Sequence, residues 1–386
     1  MKILFLDQSG KLGGAELSLL DLAKFYRDSC LVSLFADGSF KQALEQNQVP
    51  VRVLSARSLK IYKNSNFWQS ISNIGKIIPL VKEVAQLSQN YDLIYANTQK
   101  AMVVGAIVSF LTKKPLVYHL RDILSCDHFS RVNRLLAVSL ANHFASLVIA
   151  NSKATKAAFV EAGGKEKLVR VVYNGFSLEK YRNKNDKIDG LDTVDASKLK
   201  RELNLEGRYI IGHFSRLSPW KGQHILIEAL NSCPQATAIL VGDALFGEHE
   251  YVAELHQQVE KLRLSDRVRF LGFRTDIPEL MSMCDLVVHT STAPEPFGRV
   301  IVEAMLCSKP IVASAAGGAT ELIENDCTGW LTPPGDALKL GKIINRCRQH
   351  PEATNAIALA GREKAARRFN LVEIEQQIDR LLSEIA

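Results

Sequence analysis

The sequence predicts an α/β protein made of two doubly wound, parallel-sheet domains. Three observations predict it. Its 386 residues exceed what one hydrophobic core usually supports. Short β-rich runs alternate with helical stretches in both halves of the chain, which is how a parallel sheet with helices on both faces reads. Between the halves the chain turns charged and poor in large apolar residues, with Asp186, Asp189, Asp192 and Asp195 close together. The spacing of a calcium loop is absent there, so 176–207 reads as a solvated linker between domains at 1–175 and 208–369.

In the first half the strands read as Lys2 to Asp7, Cys30 to Phe35, Val51 to Leu54, Asp92 to Ala96, Pro115 to His119, Leu147 to Asn151 and Leu168 to Tyr173. Ligands of such sheets sit at the carboxyl ends of the strands, so the loops there are where function is sought. The first loop, Gln8 to Glu16, precedes a helix from about Leu17. Its Gly13 and Gly14 permit close backbone approach, and a helix start offers free N–H groups to an anion. A Gly-Gly pair also suits a merely tight turn, and the G-x-G-x-x-G spacing of dinucleotide sites is absent. Two further loops, Asn97 to Lys100 and His119 to Asp122, carry polar residues at strand ends. His119 is either a satisfied structural residue or a functional one, and Arg121 is a candidate for an anionic acceptor. Between Arg57 and Leu87, Phe67, Ile71, Ile74, Ile78, Val81 and Ala85 recur at helical spacing among Lys60, Lys63, Lys76 and Lys82. That segment reads as a helix packed on the sheet, or as a membrane-surface helix with Trp68 and the lysines at the headgroups. Asn174-Gly175 closes the domain with a left-handed turn pair.

The second half reads Tyr209 to Phe214, Thr237 to Gly242, Arg267 to Phe273, Leu286 to Thr290 and Ile311 to Ser314 as strands. Arg216 and Lys221 lie in one strand-to-helix loop, where an Arg fork and a Lys point charge can clamp a diphosphate; a pair of exposed basic residues is the plain alternative. In the stretch Glu295 to Met305, Pro296 and Gly298 mark a turn, after which Val300, Ile301, Val302, Ala304 and Met305 read as a helix buried nearly all round. Glu303 interrupts that helix, and an unpaired buried charge costs roughly several kcal/mol. Glu303 and the turn residue Glu295 therefore call for partners, either a buried cation or the vicinal diols of ribose or a hexose. A second glycine-rich loop, Gly317 to Glu321, follows.

Composition narrows the function classes. With 47% hydrophobic and 23% charged residues the chain is ordinary for a soluble globular protein. Seven scattered cysteines without a C-x-x-C pair argue against a disulfide framework and a zinc site, and fit a reducing compartment. The N-terminus reads as a first strand and not as a signal peptide, and the longest apolar run, Ala101 to Leu111, is too short to span a bilayer and reads as a buried helix. A cytoplasmic location is expected, peripheral to the inner face of the membrane if the basic segment meets lipid. The net charge of +7 includes no basic run with interleaved aromatics, so no nucleic-acid partner is expected.

The E-x7-E spacing from Glu295 to Glu303, with the R-x4-K spacing from Arg216 to Lys221, resembles the retaining glycosyltransferases of the GT-B type, family 4. The resemblance covers nearly the whole chain. It implies two Rossmann-like domains facing a deep interdomain cleft, with a C-terminal helix at 370–386 packing back on the first domain. It also implies transfer of a sugar from a nucleotide diphosphate to an acceptor hydroxyl with retention of anomeric configuration. By resemblance, His119 contacts the transferred sugar and joins Arg216, Lys221 and Glu295 in the catalytic set. Gly272, Phe273 and Arg274 lie against the nucleotide base. Glu303 holds the ribose, Glu295 the sugar hydroxyls, and Phe297, Gly298, Arg299, Val300 and Gly14 complete the donor site. Gly13, Glu16 and Arg121 face the acceptor.

No D-x-D motif is present, so no metal and no other cofactor is expected. A UDP-hexose is the favoured donor, with GDP-mannose the alternative, and a saccharide or lipid-linked saccharide of surface polysaccharide or glycolipid synthesis is the acceptor. The family's front-face mechanism and a covalent double displacement are both compatible with these residues. A catalytically silent nucleotide-sugar-binding subunit is the alternative of another class, and the presence of the whole residue set favours an enzyme.

Overall fold

The computed structural model describes residues 1–54, 74–125, 129–181, 196–244 and 247–386. Trp68, Lys60, Lys63 and the four aspartates at 186–195 lie outside the described residues. Two units form: 1–175 with 371–386, and 176–370.

The first unit holds strands β1 (Ile3–Asp7), β2 (Cys30–Leu34), β3 (Val51–Val53), β4 (Leu93–Ala96), β5 (Leu116–Leu120), β6 (Leu147–Ala150) and β7 (Val169–Val171). They make one parallel sheet in the order β3-β2-β1-β4-β5-β6-β7. Its helices are α1 (Gly14–Phe25), α2 (Ser39–Gln46), α3 (Ile74–Ser88), α4 (Gln99–Thr112), α5 (Arg131–Phe144) and α6 (Lys153–Glu161). Every residue of β1, β4, β5 and β6 is buried, as parallel strands covered on both faces must be. Side chains alternate between two cores. Leu4, Leu6, Ile94, Tyr118 and Val148 face one, which Leu80, Val81 and Val84 of α3 join. Ile3, Phe5, Tyr95, Val117 and Ile149 face the other.

The second unit holds β8 (Tyr209–Phe214), β9 (Ala236–Val241), β10 (Val268–Gly272), β11 (Leu286–His289), β12 (Ile311–Ser314) and β13 (Trp330–Thr332), paired as β10-β9-β8-β11-β12-β13. Its helices are α7 (Ala196–Glu202), α8 (Gln223–Ala229), α9 (His249–Lys261), α10 (Ile277–Met283), α11 (Arg299–Leu306), α12 (Ala319–Leu322), α13 (Ala337–Gln349) and α14 (Pro351–Arg368). The last helix, α15 (Leu371–Ser383), belongs to the first unit. Its Ile374, Ile378 and Leu382 enter the core beside β1, and Tyr26 Oη donates to Asp379 Oδ1 at 2.6 Å.

Three readings are corrected here. The described ends of the expected linker are folded: Phe176 is buried, and α7 packs on α10 with Leu199 and Leu205 buried. β13 adds a strand that the sequence reading lacked. The apolar run Ala101 to Leu111 is helical, yet its outer face is open, with Phe110 and Leu111 each about 60% exposed.

In each sheet the chain reverses winding direction beside the first strand of the unit, at β1/β4 and at β8/β11. Loops leaving two such strands diverge and open a crevice, so the residues just past β1 and β4, and past β8 and β11, are the ones a ligand can reach.

Candidate functional site

At the β8/β11 crevice the sequence supplies a lysine from one loop and a carboxylate from the other. Lys221 Nζ donates to Glu295 Oε2 at 2.7 Å. His289, the last residue of β11, places Nε2 3.1 Å from the same oxygen, and Ser291 Oγ donates to it at 3.1 Å. Among the described residues no side chain bonds Oε1, which remains an acceptor for a hydroxyl-bearing ligand. Burial by itself would raise the Glu295 carboxyl. Lys221 and His289 outweigh that and hold it well below the usual carboxylate range. Lys221 also lies over the Trp220 ring, 4.0 Å from its centroid. Behind this group His213 accepts or donates at Nε2 with Thr290 Oγ1, 2.9 Å away; burial and the neighbouring His289 push its pKa down to about 3, so it is neutral.

Arg216 pairs with Glu248 just before α9, Nε to Oε2 at 3.3 Å, while Ser218 Oγ donates to the other carboxylate oxygen at 2.5 Å. The guanidinium is thus tethered within the loop that holds Lys221. Glu303 has the intrahelical partner its position demanded: Arg299, one turn back on α11, lies 3.5 Å from it. Arg299 in turn covers the Phe176 ring at 4.5 Å.

Other expected donor-site residues divide. Gly272 ends β10 at φ +64, Phe273 beyond it is 60% exposed, and Arg274 grips Asp276 with both Nε and an Nη at 2.8 and 2.5 Å. Gly298 takes φ +94 as the N-cap of α11, and Val300 is half-buried. Phe297 does not join the site through its ring, which is buried between Phe176 and Phe369 at 6.3 and 5.7 Å between centroids. That position is core.

In the first unit the β1/β4 crevice is built around Asp7, fully buried, which accepts from the Ser9 N–H and from Asn97 Nδ2, both at 2.7 Å. Arg121 is also buried and donates to Asn97 Oδ1 at 2.9 Å and Asn174 Oδ1 at 2.7 Å. The guanidinium thus ties the ends of β4 and β5 to the end of the unit, and it lines a small cavity there. The His119 ring is 3% exposed, Nδ1 bonds the Tyr95 hydroxyl, and burial with Arg121 nearby lowers its pKa well below the ordinary value. The imidazole is therefore neutral; its Nε2 has no hydrogen-bond partner among the described residues, and it lines a small cavity with Arg121, Asn174 and Gly175. Gly13 caps α1 and Gly14 is exposed at its first position, one residue-pair before Glu16. Burial and the adjacent Asp7 raise the Glu16 carboxyl to about 7, and burial raises Asp7 to about 6.

Sequence reasoning missed Asp7, His289, Glu248 and Ser218. The first two stand as lone polar residues closing apolar strands, a signal visible in the sequence. Nothing local marks Glu248 or Ser218.

Comparison with known proteins shows the family. The family model described as Glycosyltransferase Family 4 matches residues 12–180, and that described as Glycosyl transferases group 1 matches 195–364. The structure of Anabaena HepE in complex with UDP-glucose is 57% identical, covers 100% of both chains and superposes with a TM-score of 0.91. The spore coat protein SA of Bacillus subtilis (strain 168) is 33% identical over 171 residues, 42% of this chain and 44% of that protein, so the chain spans less than half of this relative. The N-acetyl-alpha-D-glucosaminyl L-malate synthase of Bacillus anthracis is 24% identical over 351 residues, 86% of this chain and 87% of that protein. With a group 1 match on one unit, a family 4 match on the other and a full-length relative at 57% identity, the chain belongs to the group 1/family 4 glycosyltransferases of GT-B fold.

Proposed function

We propose that the protein transfers a hexose, glucose from UDP-glucose in the first instance, to an acceptor hydroxyl with retention of configuration. The observation that carries this reading is the convergence of Lys221, His289 and Ser291 on one oxygen of Glu295, beside the tethered Arg216, at the β8/β11 crevice. The full-length relative HepE, whose structure contains UDP-glucose, supports the choice of donor.

The barrier lies in breaking the anomeric C–O bond while negative charge grows on the departing diphosphate. Preorganised cations at that point contribute roughly a few kcal/mol each, and Arg216 and Lys221 occupy the loop suited to supply them. This charge would be met by side chains, so the reading includes no metal requirement; undiminished turnover in a strong chelator is its check. Glu295 acts as a binding group for sugar hydroxyls. A carboxylate stabilised as an anion by three donors is a weak nucleophile, which favours front-face attack with the departing phosphate oxygen taking the acceptor proton. Glu303 holds the ribose, and Phe273 lies under the base. A saccharide or lipid-linked saccharide of polysaccharide or glycolipid synthesis is the acceptor class.

The test is metal-free titration calorimetry with UDP, UDP-glucose, GDP, GDP-mannose and ADP on the wild type and on Glu303→Ala. UDP and UDP-glucose should bind, and the variant should weaken both by about tenfold or more, about 1.4 kcal/mol. Preference for GDP-mannose would make the protein a mannosyltransferase, and no response to any nucleotide would overturn the reading.

A further inference from the structure

Strand β11 changes character at its end without leaving the interior. Leu286, Val287 and Val288 are apolar, as a central parallel strand requires. His289, Thr290 and Ser291 are polar, yet they are only 3%, 3% and 1% exposed. Consecutive buried polar side chains are costly unless each finds partners. Extended chain sends such residues to alternate sides, and here each side meets a different loop of the site.

On one side His289 Nε2 and Ser291 Oγ both lie 3.1 Å from Glu295 Oε2. A carboxylate oxygen only accepts, so Nε2 carries the imidazole proton. The other ring nitrogen, Nδ1, is buried with no hydrogen-bond partner among the described residues. A leucine would continue the strand without that cost, so folding alone does not call for the imidazole.

On the other side Thr290 meets the loop that leaves β8. His213 Nε2 lies 2.9 Å from Thr290 Oγ1 and 3.3 Å from the Lys221 carbonyl, which can only accept, so this ring nitrogen donates. The threonine hydroxyl donates in turn to the Gly222 carbonyl at 2.7 Å. Gly222 takes φ +70, and a Cβ there would stand 2.0 Å from the Thr290 carbonyl oxygen. Two residues on, the Thr292 N–H donates to the Trp220 carbonyl at 2.8 Å. The backbone on both sides of Lys221 is thereby held against the end of β11.

We propose that His289-Thr290-Ser291 is a positioning element for both halves of the reaction centre. His289 and Ser291 occupy Glu295 Oε2 and so leave Oε1 as the oxygen offered to the sugar. Thr290 fixes the backbone that carries the Lys221 ammonium to the departing phosphate. The three residues act through Glu295 and Lys221 and not on the reacting atoms. The inference rests on the proposed transfer from UDP-glucose and adds a separation to it: Glu295 meets only the sugar, whereas Lys221 meets a phosphate that UDP and UDP-glucose share. Damage on the two sides of the tripeptide should therefore read out differently.

The experiment measures the affinities of UDP and UDP-glucose by titration calorimetry, and UDP release from saturating UDP-glucose, on the full chain and its variants. His289→Leu should weaken UDP-glucose about tenfold and leave UDP within about twofold, and Ser291→Ala should do the same more mildly. Thr290→Val should leave the ratio of the two affinities within about twofold and slow UDP release about tenfold. His289→Gln and Thr290→Ser should recover most of each loss, since an amide N–H can stand in for the imidazole N–H and the hydroxyl is kept. Where His289→Leu or Thr290→Val does not fold by circular dichroism, the smaller truncations Ser291→Ala and Thr290→Ala decide. Equal losses for UDP and UDP-glucose in the His289 and Ser291 variants, or conservative variants no better than the truncations, would mean a merely structural role and overturn the proposal. Wild type that binds UDP but not UDP-glucose would instead refute the proposed transfer itself.

Discussion

Glu295 shows how much of a site rests on one oxygen atom. Lys221, His289 and Ser291 all meet Oε2, and the carboxylate lies where burial alone would favour its neutral form. Removing the lysine leaves an anion with weaker compensation. Lys221→Met should therefore destabilise the second unit by about 3 kcal/mol, in line with breaking a buried pair from one side. It should also lower turnover by about a hundredfold, because the same ammonium is proposed to face the leaving phosphate. Glu295→Gln also costs stability, by leaving the ammonium without its anion, and its functional loss should fall on sugar-donor affinity more than on turnover. Urea denaturation and steady-state kinetics on the two variants separate these effects, and wild-type stability in Lys221→Met would show that the pair does not form. At this scale the sequence was informative where a residue's type conflicts with its local pattern. Glu295, Glu303, Arg216 and Lys221 are charged residues in strand-end loops or an apolar helix; Arg216, Lys221 and Glu295 lie in the loops past β8 and β11, and Glu303 pairs with Arg299 in α11. His119, Arg121 and Phe297 are residue types common to sites and cores alike. Which they are depends on Tyr95, Asn97, Asn174, Phe176 and Phe369, partners far away in sequence.

At the level of elements, strand ends were legible because parallel strands are nearly continuous apolar runs. β8 and β12 were located to the residue. β13, three residues long, carries too little pattern to read. The outward face of α4 was misread because hydrophobicity reports what a helix could bury, whereas exposure depends on what covers it. The clearest link from element to site is the second glycine-rich loop. Gly317 takes φ +62 and pairs as an isolated bridge with Glu295, and the Gly318 N–H donates to the Glu295 carbonyl at 2.7 Å. A Cβ on Gly317 would stand 2.4 Å from that carbonyl oxygen. The loop therefore fixes the backbone that aims Glu295. Gly317→Ala must adopt a left-handed conformation and push that backbone away, at a cost of roughly 2 kcal/mol or more. Its effect on UDP-glucose affinity should exceed that on UDP affinity, since Glu295 is assigned to the sugar and Glu303 to the ribose. Equal losses for both ligands would indicate a general loosening of the unit and contradict that division of roles.

Across the whole molecule, the two units carry buried carboxylates of opposite character, and pH should distinguish them. In the first unit burial raises Asp7 to about 6, burial and the Asp7 charge raise Glu16 to about 7, and burial and Asp21 raise Glu375 to about 7. A carboxyl whose folded pKa lies above its unfolded value holds its proton more tightly when folded. The stability it contributes is fully present below the unfolded pKa and is lost as pH rises through the folded pKa, here between about 4 and 7. Glu295, in the second unit, has the reverse sign: held low, it contributes stability above the ordinary carboxylate pKa and loses it only as pH falls below that range. Raising the pH from about 5 to about 8 should thus weaken the first unit through its carboxyls while leaving the Glu295 contribution unchanged. Scanning calorimetry across that interval tests this, with UDP added to mark the second unit, because a ligand raises the transition of the unit it binds. The transition that UDP does not raise should fall with pH, and Glu16→Gln/Glu375→Gln should flatten that slope by removing two of the three groups. A slope unchanged in the double variant would mean that these carboxyls titrate at ordinary pKa values in the folded protein. The β1/β4 crevice would then hold two anions at neutral pH, and an acceptor approaching Gly13 and Gly14 would meet negative charge instead of a proton-bearing pair.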